Sequence, residues 1–218
     1  MTLDSARLGR VVVLSGGSSA GKTTLGRKLQ SSLDGSWLLV GVDLLLWMLP
    51  SELVSNPSGI SVHDGVITRG DQFIRLYVGF QQAVAALARS GVDVLVDEVL
   101  LGGGADQLRW NNALRDLDVR WVGVRCAPDI AAAREARRGD RPAGVARKQA
   151  DAVHDGVRYD LDVDTGALDV SQSVTHIAEA LRQTWSVQNT PVSDEPPALP
   201  AVSAWARSGG IGRPPWER

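Results

Sequence analysis

A single cysteine, Cys126, occurs in the 218 residues, which excludes an intrachain disulfide. Lysine is almost as scarce: Lys22, Lys28 and Lys148 stand against a background of arginine. Genome composition produces that skew, so arginine abundance alone says little. No basic stripe is present, and a net charge of −2 argues against a nucleic-acid surface. Long apolar runs are missing too. The longest, Trp37 to Leu49, is interrupted by Asp43 and falls short of the roughly 20 residues that cross a membrane. Near the start, Val11–Leu14 is too short for the apolar centre of a signal peptide, so the expected location is the cytoplasm. No internal repeat occurs. A hydrophobic content of 44% and a charged content of 22% are ordinary for a soluble globular chain long enough to bury one core.

Against these absences stands one dense motif. Gly16-Gly17-Ser18-Ser19-Ala20-Gly21-Lys22-Thr23 fits G-x-x-x-x-G-K-[ST], with Thr24 following. It comes after the apolar run Val11–Leu14 and opens a helical segment, Thr23 to Leu33, the context such a loop requires. A triphosphate is poly-anionic. A glycine-rich turn lets successive backbone N–H groups converge on it, and the following helix N-terminus adds unpaired donors and partial positive charge. Residues Gly16 to Thr24 are therefore expected to bind ATP, with Lys22 on the β- and γ-phosphates and the Thr23 hydroxyl on Mg²⁺.

The rest of the chain alternates strands and helices. Trp37–Val42 is a continuous apolar run of the kind buried on both faces of a sheet, and Val92–Val96 and Val119–Val124 are the next expected strands. Phe73, Leu76, Phe80, Val84 and Leu87 mark an amphipathic helix, and Gly102–Gly104 a turn before another ending near Leu114. Pro128 suits the first turn of a helix running to Arg138, stopped by Gly139. A short helix is expected between Gly144 and His154. Val157, Tyr159, Leu161 and Val163 alternate with charged residues, predicting an edge strand, and Val170 to Trp185 predicts the last helix. Residues 51–71, with Pro57, Gly59, Gly65 and Gly70, predict an irregular loop or a short hairpin. The sum is a doubly wound, parallel α/β sheet over residues 1–185. Six of ten prolines lie between Pro191 and Pro215, so 186–218 is expected to be a disordered tail. Trp205 and Trp216 in it are candidate partner anchors, although a plain extension is the simpler reading.

Three further groups carry chemistry. Val94-Leu95-Val96-Asp97 is an apolar strand ending in a carboxylate, as Mg²⁺ held against β- and γ-oxygens needs; Asp97 is the first choice and Glu98 the second. Asp43 lies on the same sheet edge, where a carboxylate can take the proton of an acceptor hydroxyl; a cap for the helix Leu44–Leu49 is the alternative. Arg134, Arg137 and Arg138 share a helix face with Arg141 just beyond, supplying forked donors for a phosphoryl group. The alternative is a solvated basic face paired with Glu135 and Asp140. His154 is expected to be structural.

Together these segments resemble the chloramphenicol phosphotransferase family. The resemblance runs from Val11 to Thr165. It is carried by Gly16–Lys22, Gly41-Val42-Asp43, Asp97 with Leu101-Gly102-Gly103, Trp121–Cys126, and Arg138–Arg141 with Lys148-Gln149-Ala150; Val153-His154 and Tyr159-Asp160 also match. It implies a P-loop nucleotide-kinase-like fold with a five-stranded parallel sheet flanked by helices and an arginine-bearing lid. It also implies ATP-dependent phosphorylation of the antibiotic's primary hydroxyl, with Asp43 as base, Lys22 on the phosphates and the lid over Arg134–Arg141. Within that lid Arg137 and Arg141 are the expected catalytic pair, and Arg134 and Arg138 the expected nucleotide contacts. Two departures stand out: Asp97-Glu98 replaces the family's paired aspartates, and residues 50–71 are shorter and different.

The reading is a kinase using ATP and Mg²⁺ on a small hydroxylated acceptor, an antibiotic such as chloramphenicol first. Neither nucleic acid nor membrane is an expected partner, and homo-oligomerisation stays open. The rivals are a metabolic kinase of nucleoside, shikimate or gluconate type and a nucleotide-dependent switch. A switch has no use for an acceptor base at Asp43.

Overall fold

The computed structural model describes residues 7–139 and 143–186. Arg141, Asp140 and the Pro-rich segment beyond Ser186 lie outside the described residues. β1 (Val11–Ser15) is wholly buried, as five successive residues without an exposed side chain require of a central strand. β5 (Asp93–Glu98) and β6 (Val119–Arg125) flank it, β2 (Trp37–Gly41) lies outside β5, and β7 (Leu161–Asp164) outside β6. All four pairings are parallel, so every carboxyl end opens on one edge.

Side chains alternate along β1. Val12 and Leu14 join the layer of α1 (Lys22–Gln30) and α7 (Val170–Ser186), against Leu25, Leu29 and Ile177. Val11 and Val13 face the opposite layer, with Phe73, Tyr77 and Val84 of α3 (Asp71–Arg89) and Trp110 of α4 (Gly104–Ala113). Each such side chain fully removed from water stabilises the fold by about 1.5–3 kcal/mol before entropy is charged. α2 (Val42–Met48) follows β2 directly. α5 (Pro128–Arg138) and α6 (Val145–Ala152) pack on each other beside the same carboxyl-end edge. No helix among the described residues is long and apolar enough to cross a membrane.

Two segments differ from their sequence pattern or decide it. The alternation from Val157 predicts a longer last strand than forms: Val157 and Tyr159 instead turn inward against the α3–α4 core. The pairing begins only after Asp160 is tied to Trp121, donating its N–H to the Trp121 carbonyl (2.9 Å) and accepting the Trp121 N–H (2.7 Å). Residues 51–71 form the hairpin: β3 (Ile60–His63) and β4 (Val66–Arg69) pair antiparallel. Asp64 and Gly65 both take positive φ at its tip, as a tight hairpin turn demands.

Candidate active site

The glycine-rich loop is held in shape by close approaches that only glycine allows. A Cβ at Gly16 would sit 2.3 Å from the Val124 carbonyl oxygen. Ser19 (φ 59°) and Gly21 (φ 97°) take the left-handed conformation, which turns the intervening N–H groups toward one concavity. α1 starts at Lys22, adding its own N-terminal donors. Lys22 is buried; its Nζ donates to the Gly17 carbonyl (2.8 Å) and lies 3.6 Å from Asp97. Thr23 donates its hydroxyl to Asp97 Oδ2 (2.5 Å), joining the two expected metal ligands across the loop and β5. Ser18 Oγ and Ser19 Oγ are buried without a hydrogen-bond partner among the described residues. Buried hydroxyls are seldom left so, and two in one loop point to a ligand.

Among the described residues no group of three or more His, Cys, Asp or Glu could hold a metal alone. Thr23 and Asp97 nonetheless fit Mg²⁺, which takes one or two protein oxygens and completes its shell with phosphate and water.

Asp43 lies in the first turn of α2, whose N-cap is Gly41 with no side-chain cap bond, so Asp43 does not cap that helix. It stands where two clefts meet. One holds Ser19, Lys22, Thr23, Asp97 and Arg138; the other is walled by Leu46, Ile60, Ile67, Phe73, Tyr77 and Leu101. Ser18, Val42, Asp43 and Val99 line both. Glu98 closes the second cleft from beneath, fully buried, accepting from Val99 N–H (2.8 Å) and Trp110 Nε1 (3.0 Å). Burial pushes its carboxyl up to about 7, against those hydrogen bonds, which favour the charged form. Burial, and then the nearby Glu98, raises the Tyr77 phenol as well. Arg69 also lines this cleft, but its guanidinium is engaged with Asp106 (2.7 and 3.3 Å).

The arginines separate. Arg134 braces the back of the phosphate loop: it donates to Thr165 O (2.7 Å) and Thr165 Oγ1 (3.0 Å), and that hydroxyl donates to Ala20 O (2.7 Å). Arg138 lines the phosphate cleft with Lys22, Asp43 and Asp97, whereas Arg137 lines an adjoining cleft with Thr24, Leu168 and Asp169. Of the expected lid arginines, Arg138 thus lies in the phosphate cleft and Arg137 beside it, and Arg141 lies outside the described residues. Glu135 is not a surface partner of these arginines. It is buried and accepts the N–H groups of Gly144 (2.7 Å) and Ala146 (2.8 Å), fixing the start of α6.

The model of the chloramphenicol phosphotransferase-like family matches residues 9–186. The chain belongs to that family. Relatives from two strains of Mycobacterium tuberculosis, described as candidate O-phosphotransferases, are 30% identical over 187 residues, covering 79% of this chain and 82% of theirs. Among solved structures, a gluconokinase from Sinorhizobium meliloti superposes with a TM-score of 0.54 at 14% identity, over 84% of this chain and 98% of its own. The Mycobacterium tuberculosis APS kinase, solved with AMPPNP and APS, gives 0.54 at 15% identity over 80% and 98%. The fold is that of the P-loop kinases. Family membership makes the chain a phosphotransferase of kinase type, acting on a small molecule.

In this family member the site gathers Lys22, Thr23, Asp43, Asp97 and Arg138 on one sheet edge and holds Arg134 behind it. Three supporting residues have no place in the site that the sequence predicts. Asp106 is buried in α4, gathers Arg69, Arg109 (2.6 Å) and Gly102 N–H (2.8 Å), and so fixes the turn after β5. Glu135 is the second, and Gln149 of α6, which accepts Ser18 N–H (2.8 Å), the third. His154 is half-buried, with Nδ1 2.7 Å from Tyr159 OH, its imidazole pushed down by burial and then by nearby Arg125.

Proposed function

We propose that this kinase transfers the γ-phosphoryl group of ATP to a hydroxyl of an uncharged, partly apolar antibiotic-like acceptor, chloramphenicol being the first to try. The observation that carries it is the position of Asp43, at the one junction between the phosphate cleft and an apolar cleft. An acceptor bound against Phe73, Ile60 and Leu46 presents its hydroxyl to Asp43 and to the γ-phosphorus together. The bond from γ-phosphorus to the ADP oxygen breaks, its electron pair leaving with ADP. A bond forms to the acceptor oxygen, whose proton passes to Asp43. Lys22 and the loop N–H groups hold the phosphates, and Arg138 offers a second cation to the charge that spreads over the transferring oxygens. Mg²⁺, held through Thr23 and Asp97, would neutralise the β- and γ-oxygens.

A carboxylate-bearing acceptor of shikimate or gluconate type is disfavoured. It would call for a cation in the second cleft, and Arg69 there already serves the buried Asp106. The test is a phosphorylation assay with mass detection of product, across chloramphenicol, nucleosides, shikimate and gluconate. Phosphorylated chloramphenicol supports the reading; turnover of a carboxylate sugar acid in its place replaces it. ATP hydrolysis indifferent to every acceptor would favour the switch.

A further inference from the structure

Gln149 is a buried amide shared by two surfaces. Its Oε1 accepts the Ser18 N–H at 2.8 Å, and a backbone N–H can only donate, so the oxygen must face the loop and the nitrogen must face away. That Nε2 meets no partner among the described residues, and Gln149 lines the acceptor cleft beside Asp43, Tyr77 and Val145.

The backbone beneath is fixed on three sides. A Cβ on Gly17 would come 3.2 Å from the Gln149 carbonyl carbon and 3.3 Å from Ala150 N, so α6 abuts the phosphate loop. Glu135 of the arginine-bearing α5 fastens the first turn of α6, and Lys148 Nζ donates to the Asp64 carbonyl at the tip of the β3–β4 hairpin. The side chain therefore has little freedom to turn its donor elsewhere.

We infer that Gln149 is a specificity-determining residue: its Nε2 donates to an oxygen of the acceptor molecule while its Oε1 holds the phosphate loop at Ser18, so one amide couples acceptor binding to nucleotide binding. The acceptor class is a small alcohol carrying a second oxygen with a free lone pair, a carbonyl, ether, nitro or further hydroxyl group. This rests on the reading of the second cleft as the acceptor site.

The experiment compares wild type with Gln149→Leu, which keeps the bulk and loses both polar atoms. A single net hydrogen bond to a neutral partner is worth about 1 kcal/mol, or roughly three- to ten-fold in an equilibrium constant. With chloramphenicol, or whichever alcohol of the panel wild type phosphorylates, the acceptor KM should rise by about that factor, with kcat changed less. Affinity for AMPPNP, titrated alone, should fall several-fold as Ser18 loses its partner. AMPPNP should tighten acceptor binding in wild type, and in the variant that tightening should shrink toward none.

Should Gln149→Leu fail to fold, Gln149→Glu keeps an oxygen for Ser18 N–H and removes the donor, so the acceptor KM must still rise relative to the KM for ATP. An unchanged acceptor KM in a folded variant overturns the inference, since a purely structural glutamine would move only AMPPNP affinity and melting temperature. If wild type phosphorylates nothing in the panel, the acceptor reading and the acceptor half of the inference fall together. The AMPPNP titration then still decides the loop half.

Discussion

The two ends of the central sheet are built on opposite rules. At the amino end, Asp93 is nearly sealed from water and answered on both oxygens, by Arg10 N–H (2.7 Å) and the Arg10 guanidinium (2.6 Å). That guanidinium also lies over Trp37 (4.9 Å) and Trp185 (4.6 Å), which stack at 5.6 Å. Trp185 Nε1, buried without a partner, is the exception there. At the carboxyl end two buried serine hydroxyls stand unanswered, Lys22 is turned back on the Gly17 carbonyl, and a carboxylate sits at the seam of two clefts. One end satisfies its charges internally and contributes stability. The other keeps donors in reserve for phosphate, at a cost the rest of the fold offsets.

Substitutions should separate the two ends. The largest effect is expected for Lys22→Ala, which removes the buried cation facing the phosphates: ATP binding should weaken sharply in calorimetry and turnover fall by at least about 10²-fold. Intact activity would remove the loop from the mechanism. Asp43→Asn should lower acceptor turnover by ~10²-fold, the lower end for a positioned base because proton transfer lags in a loose transition state. Its ATP affinity should stay near wild type, and near-full turnover would exclude Asp43 as base. Next come the neighbouring arginines. Arg138→Ala should reduce kcat more than Arg137→Ala, because Arg138 alone of the two lines the phosphate cleft. Equal losses, or the reverse order, would refute the distinction.

The smallest effect on activity belongs to the amino end. Asp93→Asn should leave kcat within about two-fold yet cost about 1–3 kcal/mol of stability, read as a fall in melting temperature. A pH series sharpens this. Burial alone would raise the Asp93 carboxyl, but the Arg10 guanidinium and N–H outweigh it, so its pKa lies below the ordinary carboxylate value. The folded state therefore favours the charged form. Its stabilisation is complete above the unfolded carboxylate pKa of about 3.9 and is lost as pH falls through the lower folded value. The melting temperatures of wild type and Asp93→Asn should converge in that acidic window.

What the sequence makes legible here is local. The run from Val11 through Thr24 carries strand, loop and helix start in one stretch, and Asp97 follows because it comes directly after the apolar run Val94-Leu95-Val96. Asp43 is visible as a candidate, although its position inside a helix turn, not at the strand's end, is only settled by where Gly41 breaks the strand. Gln149 shows only as part of the Lys148-Gln149-Ala150 match; its contact is not legible, because its partner Ser18 lies 131 positions away and no spacing rule reaches that far. Glu135 misleads for a related reason. Beside three arginines it reads as their surface partner, yet packing of α5 on α6 turns it inward to two backbone N–H groups. The split between Arg137 and Arg138 depends likewise on which side of α5 meets the phosphate loop, a tertiary fact.

The strand order carries a consequence for how the molecule is made. β1 is synthesised well before its neighbours in the sheet, β5 and β6, with Val11 in register with Val94 on one side and Val119 on the other. Sequence-distant pairings of this kind form slowly, and a chain synthesised at ~5–20 residues per second exposes the first strand for several seconds before either partner exists. Through that interval Val11–Leu14, the most water-averse stretch of the nucleotide site, has no sheet to join. A chain truncated before Val119 would leave the central strand with an open side.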